Sequence, residues 1–245
     1  MPEIKIYAGR GCGGPENTAA AFKAAFASGA DAALCDIRRT ADGQFVAFGD
    51  AVAGRLCGRN WKISDTEWGH LKPLRVLGRE PIAHLDDLLN ILILRPAVEF
   101  FFKLVPRGEG EASDLALQVA RAGVQDRVFI TACSWRRDVL AAAGAAVPGI
   151  GLAVERQVPY DLLGTAWKAG ASRVCSGWTG GGLARETFYL GAALFDFKAQ
   201  AEEAAAAGVE VSAGLVSHPR DVRRLVELGA RAVWTSDVDL AAKYL

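Results

Sequence analysis

The residues able to do chemistry gather where strand-like apolar runs end. Arg10, Glu16 and Asn17 follow the first run, Asp36 lies on the second, Asp50 comes after a short hairpin partner, and Glu99 and Lys103 share one face of the third. Two cations at one rim, Arg10 and Lys103, suit charge-assisted hydrogen bonds to an anion. A carboxylate in a dry pocket, Asp36 or Asp50, suits proton transfer, because loss of water raises its affinity for a proton. A hard cation such as Ca²⁺ or Mg²⁺ takes about 6 oxygen ligands, usually with more than one carboxylate among them. Asp36 alone cannot supply that set, so no metal and no cofactor is expected. Glu99 is on the same face as Phe101 but about 7 Å deeper along the strand; it reads as a buried carboxylate paired with an interior Arg or Lys.

The other reactive side chains point elsewhere. His70 falls in an irregular stretch, His84 begins a helix, and His218, beside Pro219, reads as a first-turn surface residue. Cys12, Cys35, Cys57, Cys133 and Cys175 form no Cys-x-x-Cys pair and no metal-ligand spacing. They read as small hydrophobes in a reducing compartment, with Cys12 and Cys57 in loops as candidate thiols.

The elements that must position these groups alternate along the chain. Strand-like runs at Ile4–Ala8, Ala32–Ile37, Val98–Lys103, Arg127–Thr131, Gly149–Val154, Arg173–Ser176, Val209–Ala213 and Arg231–Thr235 are each followed by a helical pattern. The first helix, Thr18–Ala27, has Asn17 as its expected N-cap and Gly29 past its end. Ala41-Asp42-Gly43 turns the second strand into a hairpin arm, Gln44–Phe48. An irregular excursion from Asp50 to Pro81 follows, with a short helix opened by the capping-box spacing Ser64-Asp65-Thr66-Glu67. A helix near Asp196–Ala207 follows the sixth strand. Eight β-α units in this length predict a single α/β domain over residues 1–245, a (β/α)8 TIM barrel. A doubly wound open sheet is the alternative, and no Gly-x-Gly-x-x-Gly follows the first strand to support it. Ligands of such a barrel meet the C-terminal ends of its strands. Trp135, Trp178 and Trp234 fall at or beyond three of those ends, and the run Gly180-Gly181-Gly182 reads as a mobile loop.

The stretch Gly9–Asp50, GRGCGGPENTAAAFKAAFASGADAALCDIRRTADGQFVAFGD, resembles the start of the glycerophosphodiester phosphodiesterase family. There a strand ends in His-Arg-Gly, Pro-Glu-Asn-Thr opens a helix, Glu-x-Asp lies on the second strand, and His-Asp follows a Thr-x-Asp-Gly turn. AVWTSDVDL near the C-terminus echoes the family's last strand and its Thr-Asp-x-Pro, with Ser236 at the aspartate. The resemblance implies a barrel in which two histidines act as general acid and base, two glutamates and an aspartate hold a divalent cation, and an arginine and a lysine contact phosphate. Here Gly9 and Gly49 stand at the histidine positions and Leu34 and Phe101 at the glutamate positions. Arg10, Glu16, Asn17, Asp36, Asp50 and Lys103 match. The replacements share a direction: the glycines open space, while Leu34 and Phe101 make an apolar floor.

Composition narrows the partner. The 28 basic residues balance 28 acidic ones and no basic run occurs, which gives no reason to expect nucleic acid or an anionic membrane surface. The chain enters a strand directly after MPE and no apolar run reaches the roughly 20 residues of a membrane span, so a soluble, cytoplasmic protein without membrane insertion is expected. The expected partner is a small molecule; oligomeric state is open. The expected ligand-binding set is Arg10, Glu16, Asn17, Lys103, Phe101, Trp178 and Trp234. Three readings stay open: a degenerate barrel that binds a phosphate-bearing or other anionic molecule without metal-dependent hydrolysis; a metal-independent lyase or cyclase on a partly apolar substrate, with Asp36 or Asp50 moving the proton; and the phosphodiester hydrolysis that the resemblance implies.

Overall fold

The structure is a computed structural model that describes residues 4–12, 14–105, 108–178 and 182–245. Eight parallel strands form the barrel: β1 (Lys5–Gly9), β2 (Ala32–Arg39), β3 (Glu99–Leu104), β4 (Val128–Cys133), β5 (Gly151–Arg156), β6 (Arg173–Ser176), β7 (Glu210–Val216) and β8 (Ala232–Thr235). Each pairs with its neighbours in chain order, and β1 pairs with both β2 and β8, so the sheet closes. The helices outside are α1 (Ala19–Ala27), α2 (Leu85–Leu94), α3 (Glu109–Arg121), α4 (Arg137–Ala146), α5 (Leu162–Ala169), α6 (Gly182–Leu194), α7 (Phe197–Ala206), α8 (Pro219–Glu227) and α9 (Val238–Tyr244).

Local chemistry accounts for the helix starts. Thr18, not Asn17, caps α1, its hydroxyl accepting the Ala21 N–H, and α1 buries Ala21, Phe22, Ala25 and Phe26. Phe22 and Phe26 then meet Phe100 of β3 edge-on. His84 caps α2 in a reciprocal pair with Asp87, and His218 caps α8 just ahead of Pro219. Helix α6 has no counterpart in the predicted element order. Its large apolar residues Leu183, Leu190 and Leu194 are exposed, whereas Phe188, Tyr189 and Ala192 are buried, so the sequence shows no clean apolar stripe. Of the glycine run before it, Gly180 and Gly181 lie outside the described residues.

The arm is real but short: Phe45–Ala47 runs antiparallel to β2, with Ile37 opposite Ala47 and Arg39 opposite Phe45. The excursion over 50–81 then builds its own small core of Val46, Phe48, Ala53, Leu56, Ile63, Leu71, Val76 and Ile82. The expected capping box does not form there; Ser64 bonds Asp65 and the next helical turn starts at Trp68 without a side-chain cap.

Inside the barrel the side chains stack in layers. At the N-terminal end Arg173 of β6 reaches across to Glu99 of β3 in a two-pronged pair, Nη1 to Oε2 at 2.6 Å and Nη2 to Oε1 at 2.9 Å. It also donates to Tyr7 Oη at 3.2 Å, lies 3.5 Å from Glu210, and stacks with its guanidinium carbon 3.6 Å from the Phe129 ring centre. Glu99 is thus the paired interior carboxylate that its depth predicts. Burial alone would depress the Arg173 guanidinium, but Glu99, Tyr7 and Glu210 outweigh it and hold it above its ordinary value. Among the described residues no helix is long and apolar enough to cross a membrane.

Removing one partner of such a pair strands a buried charge, at a cost of about 3 to 5 kcal/mol. Glu99→Ala should therefore lose stability of that order in urea unfolding, and Arg173→Met placed on top of it should recover part of the loss. Equal stability of wild type and Glu99→Ala would contradict the interior pair.

Candidate functional site

The C-terminal ends of the strands border a cleft of about 520 Å³. Its floor is apolar because alternation along the strands turns Leu34, Cys175 and Trp234 inward, above a layer containing fully buried Tyr7 and Phe101. Trp234 is fixed by its indole N–H, which donates to Ser212 Oγ at 2.9 Å, and its ring stands edge-on to Phe101 with centres 5.0 Å apart. Leu215 and Trp178 extend this surface, their backbones joined through the bond from Leu215 N–H to Trp178 O at 3.1 Å. That approach needs two glycines: a Cβ on Gly177 would fall 1.4 Å from the Gly214 carbonyl oxygen.

The polar wall on β1 and β2 is a closed set of partners. Asp36, 2% exposed, lies 2.7 Å from Arg10 Nε and accepts from Asn17 Nδ2 at 3.2 Å, while its own N–H donates to Asn17 Oδ1 at 3.0 Å. Arg10 and Asn17 both adopt left-handed backbone, with φ of 59° and 56°. For an arginine this costs about 1 to 2 kcal/mol. Two backbone bonds of 2.9 Å hold the loop in it, Arg10 N–H to Leu34 O and Asn17 N–H to Arg10 O. Glu16 lies 3.6 Å from Arg10 Nη1 and accepts a hydrogen bond from Arg55 of the excursion. Arg55 also grips Asp50 at 2.7 and 3.0 Å. Those hydrogen bonds outweigh burial and pull the Asp50 carboxyl below its ordinary value.

Opposite them stands a second pair. Lys103 Nζ lies 2.5 Å from Glu155 Oε2, which also accepts the Cys133 thiol at 3.6 Å. Burial acts to lower the Lys103 ammonium, but Glu155, with Cys133 and Asp36 beyond it, more than offsets this and raises it. Burial pushes the Cys175 thiol up to about 12, and raises Cys133 and Cys12 as well.

The expected site residues therefore divide. Arg10, Glu16, Asp36, Lys103, Trp178 and Trp234 line the cleft, with Trp135 at its rim. Three do not. Phe101 is fully buried beneath the floor, packed on Tyr7, Phe129 and Trp234; Asn17 is buried behind Asp36 as its hydrogen-bond partner; and Asp50 is turned to Arg55. Their correction has one cause, that the partner of each is decided by the closed barrel and not by strand position. Glu155, Arg156, Ser176 and Leu215 line the cleft unannounced. The predicted strands stop at Val154 and Ala213, short of three of them; continued alternation from Ala153 would have turned Glu155 inward, but nothing local marks Arg156 or Ser176.

The divalent cation that the resemblance implies does not fit these residues. Asp36 is already engaged by Arg10 and Asn17, Leu34 and Phe101 offer no oxygen, and among the described residues no three His, Cys, Asp or Glu side chains stand close enough to share an ion. The space at the two histidine positions is also narrowed by side chains that would have to shift. A Cβ on Gly9 would lie 2.7 Å from Leu215 Cδ1, and one on Gly49 would lie 3.1 Å from Asp36 Oδ2 and 3.6 Å from Arg10 Cζ. At the opposite end of the barrel a shallow depression between the ends of α5 and α7 is lined by Trp167, Ser172 and Val209 and carries no titratable group.

Residues 9–240 match the model of the glycerophosphoryl diester phosphodiesterase family. The chain is 27% identical over 256 residues to the uncharacterized protein YqiK of Bacillus subtilis, covering 98% of each. A glycerophosphodiester phosphodiesterase from Thermotoga maritima superposes over the full length of both chains with a TM-score of 0.77 at 18% identity. A phosphodiesterase from Oleispira antarctica, solved with the product sn-glycerol-3-phosphate, gives a TM-score of 0.78 at 18% identity over 98% of this chain and 96% of its own. Both share the fold.

The raised Lys103 ammonium makes a pH prediction. A group whose folded value exceeds its ordinary 10.5 stabilises the fold fully below that pH and loses the contribution as pH rises through the folded value. Stability measured by urea unfolding should therefore fall less steeply above about pH 10 in Lys103→Met than in wild type. Identical alkaline slopes would show that the Glu155 pair is not formed.

Proposed function

Since this chain belongs to the glycerophosphoryl diester phosphodiesterase family, we propose that it is a member that binds a phosphate-bearing or other anionic small molecule in the cleft without metal-dependent hydrolysis. The observation that carries the reading is the setting of Phe101. Where the resemblance places a metal-binding glutamate, an aromatic ring with no exposure is locked between Tyr7, Phe129 and Trp234. A carboxylate there would be enclosed by these rings with the Arg173 guanidinium carbon 5.3 Å from the present ring centre, so it would be drawn into the interior ion cluster and not presented to a cation in the cleft. The positions of the two histidines support the same reading, because Leu215 and the Arg10–Asp36 pair have moved in against Gly9 and Gly49 and would have to shift to admit side chains there.

The ligand suited to this cleft has an apolar body and an anionic group. Leu34, Leu215, Trp178 and Trp234 provide the apolar surface, and Arg10 and Lys103 provide positive charge, although each already faces a carboxylate. A phosphate ester such as the sn-glycerol-3-phosphate held by the Oleispira enzyme is the natural first probe. A metal-independent lyase or cyclase is the second reading, favoured by the Lys103–Glu155 contact, which puts a proton donor and an acceptor together at the strand ends. Asp36 and Asp50 no longer serve it, each being held by a guanidinium.

General acid-base groups are worth about 10² to 10⁴ in rate and a bound metal several kcal/mol more. Release of glycerol 3-phosphate from a panel of glycerophosphodiesters should therefore stay at background, with or without Ca²⁺, Mg²⁺ or chelator. The combined change Gly9→His, Leu34→Glu, Gly49→His and Phe101→Glu should restore none and should destabilise the chain. Robust, chelator-sensitive turnover by the unaltered protein would sink this reading.

A further inference from the structure

Helix α6 is apolar on both faces. Its inner face carries buried Phe188 and Tyr189, whose rings support Trp178 of the cleft wall at 5.2 and 5.5 Å between centres. Its outer face carries Leu183, Leu190 and Leu194, which are 85%, 62% and 68% exposed. Steps of seven and four residues set all three on one side of a helix. A helix that is apolar all round is normally buried all round, so the outer face of α6 calls for a partner.

The patch is wider than the stripe. One end of α6 is tied to the first turn of α8, where Arg185 Nη2 donates to Asp221 Oδ1 at 2.7 Å. Its other end reaches the loop after β5: a Cβ on Gly191 would come within 3.0 Å of Val158 Cγ1, and the ring of Phe195, just past the helix, stands 5.0 Å from that of Tyr160. Val158, Tyr160 and Phe195 are exposed as well and extend the leucine stripe. Large exposed apolar patches mark surfaces that meet a protein or a membrane.

The flank of the patch decides between the two. α8 packs beside α6, with the Arg224 guanidinium carbon 4.0 Å from the Tyr189 ring centre, and Arg220, Arg223 and Arg224 are exposed along it. None of these three arginines forms an ion pair among the described residues, since Asp221 and Glu186 are both held by Arg185. Glu227, in the last turn of α8, is the one other carboxylate on that helix. In a two-fold dimer the patch would face itself, with little to answer three arginines. An anionic bilayer answers them directly: leucines and aromatic rings enter the boundary between headgroups and acyl chains, and arginines on long apolar stems reach the phosphates.

We infer that the outer face of α6, together with the arginines of α8, is a docking surface for an anionic phospholipid bilayer. The even charge of the whole chain does not oppose this, because attraction to a lipid surface decays within a Debye length of about 8 Å and depends on the local face. The contact lies on the membrane and does not span it. Since the inner face of the same helix supports Trp178, docking brings that wall of the cleft to the bilayer. The inference is independent of what the cleft binds.

The test is flotation of the full chain with vesicles of phosphatidylcholine alone, or of phosphatidylcholine and phosphatidylglycerol in equal parts. Wild type is compared with the double variants Leu183→Gln/Leu190→Gln and Arg220→Gln/Arg223→Gln, and circular dichroism and thermal melting confirm that each is folded. All four side chains are exposed, and the arginine variant keeps the proposal testable if the leucine variant misfolds. The expected result is binding of wild type to the mixed vesicles about tenfold or more tighter than to phosphatidylcholine, falling as salt is raised. The arginine variant should lose about tenfold on mixed vesicles, and the leucine variant about tenfold or more. Absence of flotation with either vesicle, or equal flotation by wild type and both folded variants, overturns the surface. A dimer in sedimentation velocity that Leu190→Gln dissociates, with no flotation, overturns it in favour of a second copy of this chain.

Discussion

A guanidinium held across the inside of the barrel is the contact on which the other layers rest. Arg173 starts on β6 and engages Glu99 on β3, Tyr7 on β1, Glu210 on β7 and the ring of Phe129 on β4, so five of the eight strands meet at one side chain. A charge at that depth is tolerated only when paired and hydrogen-bonded. The pairing demands that those strands keep their register, because the fork of Arg173 and the carboxylate of Glu99 meet only in one alignment.

That layer sets the next one. With the N-terminal end of the barrel closed by ions, the space above is filled by Tyr7, Phe101, Phe129 and Trp234, whose rings contact one another at 4.9 to 5.2 Å between centres. Close packing of this kind leaves no room for a hydrated carboxylate. The apolar floor of the cleft follows from the filling beneath it, and Leu34 and Leu215 continue that filling upward.

Around the rim, charge is distributed pair by pair. Asp36 answers Arg10, Glu155 answers Lys103, and Arg55 from the excursion answers both Glu16 and Asp50. The excursion thus acts on the cleft through one arginine and contributes no lining side chain of its own.

The sequence by itself determined the barrel and the positions at which the chain departs from the motifs it resembles. Eight β-α units are legible because period-2 and period-3.6 patterns are local, and Gly9, Leu34, Gly49 and Phe101 are legible as replacements because the motifs around them are contiguous. It also determined that Glu99 had to find an interior cation, since its depth on β3 follows from counting residues. Helix α6 escaped it because Leu183, Leu190 and Leu194 face outward while Phe188 and Tyr189 face inward, which blurs the apolar stripe. Only the tertiary structure decided who pairs with whom: that the cation for Glu99 is Arg173, 74 residues away along the chain, that Asn17 serves Asp36 and not a helix cap, that Phe101 lies under the floor, and that Glu155 reaches Lys103. The physical reason is that barrel closure brings strands distant in sequence within hydrogen-bond reach. Who answers the charges of Glu99, Asp36 and Lys103 therefore depends on those neighbours and not on the residues beside them in the chain.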